Sequence, residues 1–162
     1  MNSSIYSQLL ISAGRDDSNT GAPSEETIGA YREGLGRNPL CGDQVRWFIR
    51  LEKKDSGSET RIADIRFEAS GCLMCKASAG FLARFLQHKT LNEARVLYDE
   101  VARITDTQHE PEADSEAAGK EITEENAWRA LAQIRDYPAR RRCVIMPWDS
   151  FFRTLDQQQT PA

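Results

Sequence analysis

No run of this chain approaches the roughly 20 apolar residues that a membrane-crossing helix requires. Its opening residues, Met1 to Gly14, hold no basic cluster ahead of an apolar stretch. A spanning segment and a secretory leader are therefore not expected, and the compartment to expect is the cytoplasm. A basic excess is also missing. Lys and Arg number 21 against 25 Asp and Glu, a net charge of −4, which is opposite to the footprint of a nucleic-acid binder. No nucleic acid and no membrane is expected among its partners. No Ser, His and Asp set is apparent, the Gly34-Leu-Gly36 pair lacks the setting of a phosphate loop, and no internal repeat is present. Histidine is limited to His88, at the end of a helical pattern, and His109, in an acidic stretch. Cysteine is scarce too, with four residues. In a reducing compartment these would not form a disulfide framework, so metal binding or thiol chemistry becomes the reading to test.

What remains is an ordinary globular composition, 40% apolar and 28% charged over 162 residues, enough for one domain with one modest core. Ile5 to Ile11 has the look of a short helix, and Asp16 to Glu26 of a polar loop. The Gly/Asn/Pro-rich stretch Gly34 to Pro39 reads as an approach to Cys41. Val45, Trp47, Ile49 and Leu51 then alternate with Gln44, Arg46, Arg50 and Glu52, the period of a strand with one buried face. After a charged turn over Lys53 to Thr60, Ala63, Ile65, Phe67 and Ala69 repeat the pattern, which predicts an antiparallel hairpin. Past Gly71 the period becomes helical, with Leu73, Ala77, Gly80, Phe81 and Phe85 on one face. Thr90-Leu-Asn-Glu93 is a capping box opening another helix. Residues 105–125 carry eight acidic residues and one lysine, and a mobile acidic insertion is expected at about 105–122. Thr123 is placed to cap a helix ending at Asp136-Tyr-Pro138, and Pro147 to sit in the first turn of a last helix.

Cys41-Gly-Asp43 stands at a loop-to-strand junction, Cys72 at a strand-to-helix junction, and Cys143 in the connection between two late helices. Side chains at element ends can converge on one spot, whereas a buried structural cysteine more often sits inside an element as a small hydrophobe. Three thiolates and one carboxylate suit tetrahedral zinc, and thiolates also hold iron–sulfur clusters. The carboxylate is the ligand that yields most easily to incoming sulfur. Cys72, at a helix amino terminus, would see positive dipole ends that favour its thiolate. Cys72-Leu-Met-Cys75 is formally a CxxC pair. A redox couple would want a βαβ setting, and no second CxxC completes a zinc knuckle. Cys75 is then either a packed thiol or one close enough to compete with Asp43. Arg140-Arg-Arg142 beside Cys143 is either a solvated basic turn or a set of cations favouring a thiolate or persulfide.

Asn38-Pro-Leu-Cys-Gly-Asp43, Phe67-Glu-Ala-Ser-Gly-Cys72 and Tyr137-Pro-Ala-Arg-Arg-Arg-Cys143-Val-Ile-Met-Pro-Trp148 together resemble the iron–sulfur cluster assembly scaffold family of the IscU/NifU amino-terminal type. The likeness runs from about Ile5 to Phe152. Within the family it is closer to the SufU branch. Scaffold-type members carry histidine directly before the third cysteine, where this chain has Arg142, and SufU-like members carry an insertion ahead of that cysteine. The resemblance implies an α+β fold, a small antiparallel three-stranded sheet with helices packed on it. It also implies a zinc site of Cys41, Asp43, Cys72 and Cys143, with Cys41 accepting persulfide sulfur from a cysteine desulfurase for downstream iron–sulfur assembly or recipient proteins. The alternative it leaves open is a non-enzymatic scaffold building a [2Fe–2S] cluster, or holding iron, on the same ligands. The thiol of Cys75 departs from the family, which usually has a small non-thiol residue there.

Overall fold

The computed structural model describes residues 3–53, 55, 59–108 and 122–157. The chain opens with helix α1 (Ser3–Arg15), longer than the apolar stretch alone predicts, followed by a polar loop. Three strands come next, β1 (Arg32–Asn38), β2 (Asp43–Lys53) and β3 (Thr60–Ser70). They form one antiparallel sheet in the order β1-β2-β3. Helices α2 (Leu73–Leu86) and α3 (Leu91–Thr105) follow, then a 3-10 segment (Glu124–Asp136) and the last helix α4 (Arg141–Asp156). The architecture is the α+β arrangement expected, three antiparallel strands with helices packed on them. Most of the expected acidic insertion, with His109, lies outside the described residues.

The hairpin register follows from the alternation. Val45, Trp47 and Ile49 pair with Ala69, Phe67 and Ile65, so apolar side chains meet apolar side chains on one face of the sheet. A shift between Arg50 and Leu51 accommodates one extra residue on β3, so that Leu51 pairs with Ile62 and Ala63 is left over. Trp47 is fully buried at the centre of this face. Its ring lies tilted on Phe67 at 5.5 Å and edge-on to Phe151 of α4 at 5.3 Å. Burying each such large side chain stabilises the fold by about 2–3 kcal/mol. Trp47 Nε1 also donates to Ser150 Oγ at 2.9 Å, which removes the cost of a buried, unpaired indole N–H.

Strand β1 corrects the reading of Gly34 to Pro39 as a mere approach. Its strand propensity is poor, but Gly34 pairs with Trp47 and Gly36 with Val45, which places both glycines on the helix-covered face. A Cβ built on Gly34 would lie 1.7 Å from Thr154 Oγ1, and one on Gly36 would lie 2.4 Å from Ser150. The missing side chains let α4 lie directly on the strand.

Helix α2 is buried more fully than its predicted face. Cys75, Ser78, Ala79, Leu82 and Leu86 are all buried, while Leu73 is 41% exposed. Its small residues let α1 approach on one side, since a Cβ on Gly80 would meet the Ala13 carbonyl at 2.8 Å. On the other side Ser78 donates to the Val144 carbonyl at 2.6 Å and accepts from Trp148 Nε1 at 2.9 Å. Helix α3 starts at the expected capping box. Glu93 N–H donates to Thr90 Oγ1 at 3.1 Å, and Thr90 N–H donates to Glu93 Oε2 at 2.8 Å. Beyond Thr123 the chain is helical as expected, but in 3-10 geometry with a break at Asn126.

Helix α4 begins earlier than Pro147 indicates. Arg141 is its first residue, so Cys143 belongs to its first turn and Pro147 lies inside it. The ring of Pro147 cannot donate to the carbonyl of Cys143, four residues back. The helix carries on through Pro147 because its far side is clamped to the core by Trp148, Ser150, Phe151 and Phe152, all buried. None of the described helices is long and apolar enough to cross a membrane.

Two outcomes follow from this packing. Gly34→Ala should destabilise the protein by about 1–3 kcal/mol through overpacking against Thr154. Gly29→Ala, with nothing within 4 Å of the new Cβ, should leave the urea midpoint within error. The second concerns Asp64. Burial alone would raise its pKa, but donation from Tyr31 (2.5 Å) and Gln87 (3.1 Å) outweighs it and the carboxyl stays below its ordinary value. That contribution is complete above the unfolded value of about 3.9 and is lost as the pH falls through the lower folded value. Asp64→Asn should therefore flatten the acid limb of a stability–pH curve measured between about pH 2 and 5.

Candidate metal centre

The pairing that builds the sheet also gathers the site at one of its ends. Asn38, the last residue of β1, pairs with Asp43, the first of β2. Between them a turn holds Cys41 at its tip, with Gly42 at φ +74° and its N–H donating to the Asn38 carbonyl at 2.9 Å. On the other side of β2, Gln44 pairs with Ser70. Gly71 then turns the chain, and Cys72 becomes the N-cap residue of α2. Cys143 arrives from the first turn of α4.

Asp43 is the centre of the cluster. It is 1% exposed, and a carboxylate so buried must be paid for in hydrogen bonds. Oδ1 accepts from the backbone N–H of Cys72 at 2.8 Å. Oδ2 accepts from Cys41 Sγ at 2.9 Å and faces Cys72 Sγ at 3.6 Å. Burial alone would raise its pKa. The Cys41 thiol and then the Cys72 N–H outweigh that and keep the carboxyl ionised, below its ordinary value. Gly71 makes the approach feasible. Its φ of +129° disfavours any side chain, and a Cβ there would sit 2.1 Å from Asp43 Oδ1.

Cys41 Sγ lies 3.6 Å from Cys143 Sγ. The donor atoms of Cys41, Asp43 and Cys143 all fall within 4.8 Å of one another, while Cys72 stands at the rim of that set, in contact with Asp43. The four residues singled out in the sequence thus meet at one place. Sulfur donors joined by a single hard oxygen suit zinc or another thiophilic cation better than calcium or magnesium, which prefer all-oxygen shells. Without a cation the Cys143 thiol remains protonated. Burial, followed by the hydrogen bonds to Asp43 and Cys41, pushes the pKa of Cys143 well above its ordinary value. A bound cation would have to displace that proton.

The arginine run divides by role. Arg141 donates to the carbonyls of Thr105 (3.1 Å) and Ala102 (3.0 Å), capping the negative end of α3. Arg140 and Arg142 are exposed, and none of the three is among the groups that set the Cys143 pKa. Cys75 is fully buried within the hydrophobic core. Burial, and then the negative charge of Asp43, pushes its thiol up to about 12. It is a packed neutral thiol next to the site and lies outside the tight donor cluster.

Asn38 went unassigned in the sequence. It is 4% exposed; its Oδ1 accepts from Leu40 N–H at 3.3 Å, and its Nδ2 donates to Cys41 Sγ at 2.9 Å and reaches Cys143 Sγ at 4.0 Å. The available signal was Asn immediately before Pro, a turn-forming pair whose amide bonds its own loop. His88 caps the end of α2 in the left-handed region, φ +67°, away from this cluster.

Residues 5–144 match the NifU-like N-terminal domain family. The iron–sulfur cluster assembly scaffold protein IscU of Thermotoga maritima is 25% identical over 126 residues, 78% of each chain. The zinc-dependent sulfurtransferase SufU of Bacillus subtilis is 21% identical over 156 residues, 96% of this chain and 92% of its own. A crystal structure of a candidate SUF-system scaffold protein from Fervidobacterium islandicum AW-1 shares the fold, with a TM-score of 0.65 at 22% identity over 94% of this chain and 97% of that one.

Of the four cysteines only Cys41 is exposed; Cys72 is partly covered, and Cys75 and Cys143 are buried. In metal-free protein, a thiol-reactive chromophore should modify Cys41 first and Cys75 only on unfolding. Cys41→Ser should remove the fast phase; a fast phase that survives this change would contradict the burial order.

Proposed function

The chain belongs to the NifU-like N-terminal domain family, and on that premise we propose that it is an iron–sulfur cluster assembly protein that carries sulfur on Cys41 in a zinc-dependent transfer reaction. Cys41, Asp43, Cys72 and Cys143 are the residues that would hold the metal. The observation that carries this reading is the contrast between Cys41 and its neighbours. One exposed thiol at a turn tip touches a buried carboxylate and a buried thiol, so three donors are anchored in the fold and one is open to a partner.

When bound, zinc would keep the cysteines as thiolates at neutral pH and tie the turn to α2 and α4. The remaining work falls to the chain. The turn holds Cys41 outward, and Asn38 Nδ2 donates to its sulfur and orients it. Asp43 Oδ2 accepts from the same thiol, so the sulfur is held between an amide and a carboxylate. A cysteine desulfurase presents its sulfur as a persulfide. The Cys41 sulfur attacks the terminal sulfur, a new S–S bond forms on Cys41, the donor's S–S bond breaks, and the donor cysteine leaves as a thiolate that takes up a proton. Cys143 is buried and Cys72 partly covered, so Cys41 offers the most open sulfur. The persulfide on Cys41 is then passed to downstream assembly or recipient proteins.

Likeness to the IscU scaffold protein of Thermotoga maritima favours a second reading, a [2Fe–2S] cluster built on the same four residues. The two separate on metal content and colour after anaerobic purification. Transfer predicts about one zinc per chain, no visible absorbance, and stimulation of a cysteine desulfurase that Cys41→Ser abolishes. Stimulation that persists in Cys41→Ser would sink the transfer reading, and a visible charge-transfer band with stoichiometric iron and sulfide would favour the scaffold. Chelating the metal should lower the thermal midpoint as well as the stimulation, because the ligands join three separate elements.

A further inference from the structure

A groove opens beside the thiol cluster, between the end of β1 and the outer face of α4, and it concentrates arginine in a chain whose net charge is −4. Arg37 comes from β1, and Arg141, Arg142 and Arg153 come from α4. Among the described residues one carboxylate, Asp149, shares the groove with these four guanidinium groups, and it accepts from Tyr98 Oη. Two of the arginines have structural work. Arg141 caps α3, and Arg153 donates to the Leu35 carbonyl at 3.3 Å. Arg37 and Arg142 are exposed, and their side chains make no hydrogen bond or ion pair among the described residues. Asn38 lines the same groove and touches Cys41 Sγ at 2.9 Å. Whatever occupies the groove therefore lies one side chain away from the exposed thiol.

We propose that this groove is the docking surface for a carboxylate-rich peptide segment of the protein that exchanges sulfur with Cys41. The inference rests on the sulfur-transfer reading and adds to it the chemistry of the partner. Guanidinium groups bind carboxylates in a planar, two-point fashion, and two of them stand unused here. The groove is open to water, where a single ion pair is weak. A lone small anion would gain little, whereas several carboxylates on one chain act together and are steered toward the groove from a distance. The contact would align the partner's sulfur-bearing residue with Cys41 without occupying the thiol cluster itself.

The test uses the full-length, metal-loaded protein and a fluorescein-labelled oligoglutamate peptide, followed by fluorescence anisotropy at low and high salt. The peptide should bind at low salt and be released as salt screens the charges. The double variant Arg37→Glu/Arg142→Glu should bind it at least about 10-fold more weakly, and it should raise the half-saturating concentration of the cysteine desulfurase by a similar factor. Arg15→Glu/Lys89→Glu, the same charge change at two exposed residues outside the groove, should bind as the parent does. The proposal is overturned if the control variant loses as much binding as the groove variant, if the groove variant binds normally, or if free glutamate competes as well as the peptide. Cys41→Ser separates this result from the transfer reading. It should bind the peptide like the parent protein while accepting no sulfur, so failure of one claim does not mimic failure of the other.

Discussion

Everything at the open end of this sheet is arranged around one buried carboxylate. Asp43 is the first residue of β2, and there its charge is withdrawn from water and returned to a backbone N–H and two thiols. Burial of a charge on these terms is tolerable only when the geometry is fixed. Gly71 fixes it. Without a Cβ the chain passes within reach of Asp43 Oδ1, and the next residue becomes both the donor of the key N–H and the cap of α2. A methyl group at that point would push β3 and α2 away from β2 and scatter the thiols with them.

The same principle, close approach bought by absent side chains, works along the neighbouring edge. Gly34 and Gly36 let α4 settle onto β1, and Trp47 locks it there through Phe151 and Ser150. Ser78 closes a second link by joining α2 to α4 through the Val144 carbonyl and Trp148. Polar contacts inside an apolar core contribute modestly to stability, but leaving one unmade costs more, so they define how far α4 can slide. Cys143 sits one residue before Val144. The position of its sulfur opposite Cys41 is therefore set by core packing.

The resulting site is asymmetric. Three donors are held by buried structure, and the fourth rides on a turn whose tip meets solvent. Such an arrangement separates two demands that oppose each other, tight retention of a metal and ready exchange of one ligand. The arginine groove next to it is asymmetric in the same sense. Two of its cations are tied to the fold by carbonyls, and the side chains of the other two meet no partner among the described residues.

Local periodicity made the β2–β3 hairpin, the α3 capping box and the break at Tyr137-Pro138 legible, because each depends on residues close together in sequence. Cys41, Asp43, Cys72 and Cys143 could be singled out for a related reason: short motifs at element ends advertise themselves, and their order along the chain resembles a known family. Strand β1 stayed hidden because glycine carries no strand preference, and its reason for being there, the underside of α4, lies more than a hundred residues away. The start of α4 was misjudged because Pro147 is a strong local signal that the packing of Trp148 and Phe151 overrides. Cys75 and Asn38 were barely legible in the sequence. Both are buried, one a thiol in the core and the other an amide on two sulfurs, and only their contacts distinguish them. Sequence alone determined which chemical groups were available and which local elements would carry them. Tertiary structure alone decided that Asp43 would be buried among the thiols and that Cys41 would be the exposed one, since burial and proximity are properties of chain segments brought together from afar.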